Sequence, residues 1–180
     1  MSVREKRRAA ALDRIADHML AHGLADSSLR ALAQTAGTSD RMLLYYFAGK
    51  DDILVSALGT IATRLGAILH TALGGPCSAD PEKVLADMAG IIRGAAVRPY
   101  MRLWLEVTIL SSRGEEPYRS VAGQIADSFV ALVASRLAID NETIRQATAS
   151  RVIATLDGLV VLDLVGREHT ATLALGVKGG

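Results

Sequence analysis

The side chains of this chain that are best suited to chemistry lie near the N-terminus, in the stretch Thr-Ser-Asp-Arg-Met-Leu-Leu-Tyr-Tyr-Phe at residues 38–47. Three of the seven aromatic residues of the chain stand side by side there, after a polar run that follows a glycine. An arginine can donate two parallel hydrogen bonds to a guanine, and a hydroxyl can donate one to a phosphate. The stretch therefore contains side chains of the kinds that recognise nucleic acid.

The other reactive side chains form no recognised catalytic or metal-binding pattern. His18 and His22 are four residues apart and could share a helix face, but no third ligand is evident. The sequence has no phosphate-binding loop, dinucleotide-binding glycine pattern or Gly-x-Ser-x-Gly elbow. Cys77 could be a redox-sensing thiol, although the lack of a basic neighbour favours an ordinary loop cysteine. We therefore expect no enzyme, with no catalytic residues, no metal and no cofactor.

Composition predicts an all-α protein in a reducing compartment. The 180 residues are 50% hydrophobic and 22% charged, so the chain can bury a core, and only four prolines interrupt it. The single cysteine excludes an internal disulfide and fits a cytoplasmic location. The N-terminal MSVREKRR is followed by no apolar segment, and no apolar run reaches the roughly 18 residues of a membrane span. We therefore expect neither a signal peptide nor a membrane partner.

Charge is unevenly distributed along the chain. Residues 1–50 carry eight Lys/Arg and five Asp/Glu, a net +3, whereas the remainder carries a net −2. A basic N-terminal segment on a slightly acidic body favours contact with a polyanion, although basic helix faces are usually only solvated.

Apolar spacing predicts the helices that must position the stretch. A stripe over about residues 5–21 predicts a first helix. Ser28 is expected to cap a second helix of about nine residues, and Ser39 a third that turns Leu43 and Phe47 inward. Two short helices joined by a tight turn form a helix-turn-helix, whose second helix can enter a major groove.

This layout leaves the outward side chains of the third helix free to contact DNA. We expect Arg41 to bond a guanine and Met42 to touch a thymine methyl. Tyr45 and Tyr46 can donate to phosphates, and they can also plug the gap towards the next segment. Asp40 suits the helix dipole but would repel a phosphate. The predicted DNA-binding residues are Ser28, Arg30, Thr38, Ser39, Arg41, Met42, Tyr45, Tyr46 and Lys50.

The segment SLRALAQTAGTSDRMLLYYFAGKDDIL, residues 28–54, resembles the DNA-binding domain of the TetR family of bacterial transcription regulators. It departs from the family pattern at Leu44, where a tyrosine is usual, and at Gly49, where a serine is commoner. The resemblance implies a helix-turn-helix DNA-binding domain over residues 1–49 and a helical ligand-binding and dimerisation domain over residues 50–180. The matching positions are Leu32-Ala33, Ala36-Gly37, Ser39, Leu43, Tyr46-Phe47, Lys50 and Leu54.

Apolar stripes after Lys50 predict further helices, and the tail after Gly166 is expected to fray. The last two, at about 118–138 and 141–165, carry small residues between apolar ones, which suits a four-helix contact between two subunits. The resemblance implies the same homodimer contact, although both helices could pack within one subunit. The predicted interface residues are Val121, Ile125, Phe129, Val152, Leu156, Leu159 and Val160.

The resemblance also implies a pocket for a small-molecule effector. Met88, Met101, Trp104 and Leu105 are the expected wall residues, each of which could instead be plain core. Few charges interrupt these helices, so we expect an apolar or weakly polar effector. Arg102 and Glu106, four residues apart, are expected to form a surface pair.

The sequence thus predicts a dimeric, ligand-responsive transcriptional regulator, most often a repressor, that binds a two-fold symmetric DNA operator. The alternative is a helical small-molecule-binding or scaffold protein without specific DNA binding. A steep salt dependence of sequence-specific binding separates the two, because phosphate contacts release counterions.

Overall fold

The structure is a computed structural model, and it describes residues 2–25 and 27–176. In these residues every regular element is a helix, so the all-α prediction is confirmed. The helices are α1 (Val3–His22), α2 (Leu29–Thr35), α3 (Asp40–Tyr46), α4 (Lys50–Ala72), α5 (Pro81–Ile92), α6 (Arg98–Ser112), α7 (Tyr118–Ala134), α8 (Glu142–Leu164) and α9 (Glu168–Ala174).

Packing divides the chain into two compact units. The first, called the head unit, comprises Met1–Leu65 and Arg102–Gly123, and the second, the body unit, comprises Gly66–Met101 and Gln124–Gly180. This division by packing does not fall at residue 50, since most of α4 and α6 belongs to the head unit. The division by function, with DNA binding over residues 1–49, stays a prediction.

Serine caps begin the three N-terminal helices. Ser28 accepts a hydrogen bond from the backbone N–H of Ala31, and Ser39 accepts one from Met42, which confirms both predicted caps. Each such bond satisfies a first-turn N–H that has no partner within its own helix. α2 has seven residues rather than the predicted nine. It ends in a turn where Gly37 has φ 67°, a backbone conformation that favours glycine.

α4 is long and apolar enough to span a membrane by length and composition alone, with a mean hydropathy of 1.5, although no apolar run in the sequence predicts this. Among the described residues no other helix passes this test. Its contacts are nevertheless those of a packed helix. Ile53 and Leu54 are fully buried, and Arg64 donates from Nη2 to Asp13 and from Nη1 to Asp17, each at 2.7 Å.

The body unit is organised around α5, α8 and α9. Asp80 caps α5 and Pro81 opens it, because the backbone N–H that proline lacks would have no partner within the helix at this position. α7 ends at Ala134 rather than near residue 138. Ser78 donates its backbone N–H to Arg136 and accepts one from Ala138, so this pairing holds the residues after α7 in non-helical form.

The prediction that the tail after Gly166 frays is wrong for residues 168–174. They form α9, whose Ala171 is fully buried. Arg93, at the end of α5, donates to the carbonyl oxygen of Glu168 and the hydroxyl of Thr172, and so fastens the short helix. Residues 177–180 lie outside the described part of the chain.

Candidate nucleic-acid interface and ligand pocket

α3 is held by its inner face and presents its outer face to solvent. Leu43 is 0% exposed and Phe47 is 3% exposed, which confirms the two predicted anchors. A helix of seven residues is not stable in water without such contacts. Ser39, Asp40 and Arg41 at its N-terminal end are exposed, so this end is available to a large ligand.

The two tyrosines of α3 differ in their surroundings. Tyr45 is 58% exposed, whereas Tyr46 is half-buried, and their rings meet edge to face at 5.4 Å. The hydroxyl of Tyr45 has no hydrogen-bond partner among the described residues, whereas the side chain of Tyr46 is partly packed. Met42 is exposed and Thr38 is half-buried.

Three arginines of α1 fasten the head unit internally. Arg4 donates to the carbonyl oxygen of Tyr45 at 3.1 Å and lies over its ring, 4.7 Å from the centroid. Arg8 lies 4.5 Å from the centroid of the Phe47 ring, and Arg14 donates to the carbonyl oxygen of Ala36 at 3.1 Å. These guanidinium groups orient α2 and α3, which the sequence analysis did not detect.

Arg30, Arg41 and Lys50 make no side-chain hydrogen bond or ion pair with other described residues, and all three are exposed. Among the described residues, Asp40 forms no ion pair with Arg41. The basic residues of the N-terminal segment therefore fall into two groups. One group makes contacts within the chain, and the other is left for a partner.

A hydrogen-bonded chain fixes the turn between α3 and α4, next to Lys50. Asp52 accepts from the backbone N–H of Ala48 at 2.9 Å and from the hydroxyl of Ser56 at 3.3 Å. Arg8 donates to the same hydroxyl at 3.1 Å, so α1, α4 and the turn share one network. Asp52 thereby fastens the turn before α4 to the first turn of that helix.

α6 holds the end of α1 through two charged side chains. Arg102 donates to the carbonyl oxygen of Leu20 at 3.2 Å, and Glu106 accepts from the backbone N–H of Leu24 at 2.7 Å. The predicted surface pair between Arg102 and Glu106 is therefore wrong, because each bonds backbone that is far away in sequence. No local pattern could have revealed these contacts.

Tyr118, at the start of α7, is buried and hydrogen-bonded to Ser27 in the α1–α2 loop. Burial raises the pKa of its hydroxyl above the usual value because the phenolate form is poorly solvated there, and the bond with Ser27 acts in the opposite direction. The α1–α2 loop is thus held by α6 and α7 together.

The body unit contains a pocket of about 160 Å³. Of the four predicted wall residues, Met101 lines it, whereas Met88, Trp104 and Leu105 do not. Met88 is almost fully buried, and the other three are half-buried. The apolar lining residues are Ile92, Met101, Val160 and Leu164, and the charged ones are Arg93, Arg98 and Asp163.

Most of the predicted dimer residues are already covered within a single chain. Ile125 and Phe129 are half-buried, and the other five, Val121, Val152, Leu156, Leu159 and Val160, are buried. A partner would have to contact Ile125, Phe129 and other positions of the same helices, because a buried side chain offers no area to it. Ile144 and Val161 on α8 are exposed apolar residues of that kind. A second subunit at α7 and α8 stays a prediction.

α2, the turn at Gly37 and α3 form a helix-turn-helix whose second helix is exposed at its N-terminal end. Residues 11–57 match the sequence model of the family described as bacterial regulatory proteins, tetR family. The predicted resemblance to the TetR family is confirmed over that segment. No curated protein is similar enough in sequence to match the chain.

Solved structures share the fold over nearly the whole chain. The TetR-family transcriptional regulator from Cytophaga hutchinsonii superposes with a TM-score of 0.76 at 15% identity, covering 97% of this chain and 92% of that one. The multidrug binding protein EbrR, complexed with proflavin, gives 0.70 at 26% identity, with 95% and 96% covered. A protein from Saccharomonospora viridis in complex with choline gives 0.65 at 22% identity, with 94% of each covered.

Proposed function

We propose that this protein is a ligand-responsive transcriptional repressor that acts in the cytoplasm as a homodimer on a two-fold symmetric operator. The observation that carries the proposal is the exposed N-terminal end of α3, where Arg41 has no partner among the described residues and Leu43 is fully buried beneath it. A side chain free to bond a base, on a helix fixed from below, is what base readout requires.

Arg41 reads a guanine in this proposal, and Met42 contacts a neighbouring thymine methyl. Ser28, Arg30, Tyr45 and Lys50 bind phosphates and set the orientation of the head on the duplex. Thr38, Ser39 and Tyr46 complete the contact surface. One helix reads few base pairs, so two linked heads are needed for high affinity.

Release from the operator follows from a two-state equilibrium between two arrangements of the head units of the dimer. α4 is joined to α1 by the ion pairs of Arg64 with Asp13 and Asp17. A ligand that favours a shifted α4 therefore moves α1 and the rest of the head with it. The two copies of α3 then no longer match consecutive grooves, and a coupling of about 1–3 kcal/mol lowers operator affinity roughly 5- to 150-fold.

Support for a small-molecule effector comes from the pocket in the body unit and from two proteins of the same fold that hold proflavin and choline. Because those two ligands belong to those proteins, they indicate only that the fold can enclose a small organic molecule.

To test this proposal, the full-length protein is used to select a duplex from a random pool. Its affinity for the selected duplex is then measured at increasing salt concentrations. The proposal expects tight binding to the selected duplex, much weaker binding to a scrambled one, and a steep fall in affinity as salt rises. Equal, weak binding to every duplex would support a helical ligand-binding or scaffold protein instead. Sedimentation of the complex checks for two chains per operator.

A further inference from the structure

The pocket in the body unit is lined by one positively charged side chain that has no ion-pair partner among the described residues. Three charged side chains line it, Arg93, Arg98 and Asp163. Arg98 lies in the first turn of α6, is exposed, and forms no side-chain hydrogen bond or ion pair with other described residues.

Arg93 and Asp163 neutralise each other. The Nε of Arg93 donates to Oδ2 of Asp163 at 2.7 Å, and its Nη2 donates to Oδ1 at 3.0 Å. Both carboxylate oxygens of Asp163 accept one of these bonds. The side chains of Arg93 and Asp163 are only 22% and 16% exposed. Nη2 of Arg93 also donates to Glu168 and Thr172. The pair therefore holds α9 in place, and Asp163 has little capacity left to attract a cationic ligand.

The rest of the lining is apolar and the space is small. Met101, Val160 and Leu164 offer aliphatic or thioether surface. A volume of about 160 Å³ lies below the roughly 300–1,000 Å³ of pockets for drug-sized ligands. An engineered apolar cavity of about 150 Å³ holds a benzene molecule, which sets the size of body that fits here.

We propose that this pocket binds a small monocarboxylate, with its carboxylate on the guanidinium of Arg98 and a compact apolar body of about the size of a benzene ring against Met101 and Val160. This inference deepens the proposed function, because such a molecule is then the effector. It replaces the apolar or weakly polar effector that the sequence predicts, and it separates this chain from the choline-binding structure, whose ligand is a cation.

The test measures binding by calorimetry on the full-length protein without DNA. The probes are benzoate, the neutral benzamide and the cationic benzylamine, which share one ring and differ in charge. Benzoate is expected to bind about two- to five-fold more tightly than benzamide, the range of an ion pair with an exposed side chain such as Arg98. Equal binding of benzoate and benzamide, a preference for benzylamine, or no binding of benzoate overturns the inference.

Variants locate the binding site. Arg98→Gln is expected to reduce benzoate affinity to that of benzamide, and Arg98→Lys to retain most of it, since the charge stays. Arg113→Gln, which changes an exposed arginine just after α6, is the matched control and should bind benzoate like the wild type. Leu164→Trp should abolish binding of both benzoate and benzamide by filling the pocket. Unchanged benzoate binding in Arg98→Gln or Leu164→Trp overturns the inference.

A second measurement separates this inference from the proposed function. If benzoate binds through Arg98 but leaves operator affinity unchanged, the ligand class stands and the effector role fails. If operator binding is tight and specific but benzoate does not bind, the ligand class fails and the DNA-binding role stands.

Discussion

The carboxylate of Glu106 on α6 accepts a 2.7 Å hydrogen bond from the backbone N–H of Leu24, 82 residues earlier in the chain. The same carboxylate lies against Gly23, where an added Cβ atom would overlap with Oε1. Because a free backbone N–H in a partly buried position is costly, this contact fixes where α1 ends and where the loop to α2 begins. α6 thereby contributes to the placement of the loop that leads into α2.

Glu106→Ala is expected to lower the free energy of unfolding by about 1–3 kcal/mol, since it leaves the N–H of Leu24 without its acceptor. Glu106→Gln keeps an acceptor oxygen and should lose less. Urea denaturation followed by circular dichroism measures both. Glu115→Ala, at an exposed glutamate, is the control and should stay within about 0.5 kcal/mol of wild type. A loss in Glu106→Ala no larger than in this control would contradict the structural role.

Gly23→Ala is expected to be destabilising for two reasons. Gly23 has φ 78°, which strains any residue with a Cβ by about 1–2 kcal/mol, and the new Cβ would displace Glu106 from Leu24. Gly59→Ala, in the middle of α4 with no atom within 4 Å of the added Cβ, should instead stabilise by about 0.5–1 kcal/mol.

Thermal unfolding of both glycine variants, alone and combined with Glu106→Ala, checks this prediction. If displacement of the carboxylate matters, Gly23→Ala costs less in the Glu106→Ala background, because that contact is already lost. Full additivity would leave backbone strain as the sole cause.

Arg41→Ala and Lys50→Ala should weaken DNA binding in different ways. Loss of Arg41 is expected to cost about 1–3 kcal/mol and to relax specificity at one base position. Loss of Lys50 should weaken all sequences alike and reduce the salt slope by about one. Fluorescence anisotropy on operators with single base changes measures both effects. Arg14→Ala, which removes an internal hydrogen bond to Ala36, is the comparison and should reduce stability without changing the salt slope.

Tyr118→Phe should alter the dependence of stability on alkaline pH. Burial raises the pKa of Tyr118 in the folded protein above the unfolded value of about 10. Folding therefore favours the protonated hydroxyl, and this contribution is complete below pH 10 and is lost as pH rises through the folded pKa. The variant lacks the titrating group and should lose less stability than wild type above about pH 10.

Below pH 10 the same variant is expected to be less stable by about 0.5–1.5 kcal/mol, because the hydrogen bond with Ser27 is gone. Ser27→Ala should act oppositely at high pH, since that bond lowers the pKa of Tyr118 and its removal extends the alkaline loss. Unfolding free energies from pH 8 to pH 11 test both variants. Parallel curves for wild type and Tyr118→Phe would contradict the prediction.

The sequence by itself determined the helices before α9, the caps at Ser28 and Ser39, and the inward anchors Leu43 and Phe47. These depend on neighbours within a few residues, and period and capping chemistry describe such neighbours well. It also identified the family segment, because several spacings must agree there at once.

Only the tertiary structure decided which charged side chains are free. Arg4, Arg8 and Arg14 resemble Arg30 and Arg41 in sequence. The first three bond distant groups, whereas the last two bond none of the residues that the structure describes. The tertiary structure likewise decided that Arg102 and Glu106 bond residues near the end of α1, and that Arg93 holds α9 in place. It also decided that five of the seven expected dimer residues are buried within one chain. The physical reason is common to all of them: a side chain finds its partner in space, and partners tens of residues away leave no periodic trace in the chain.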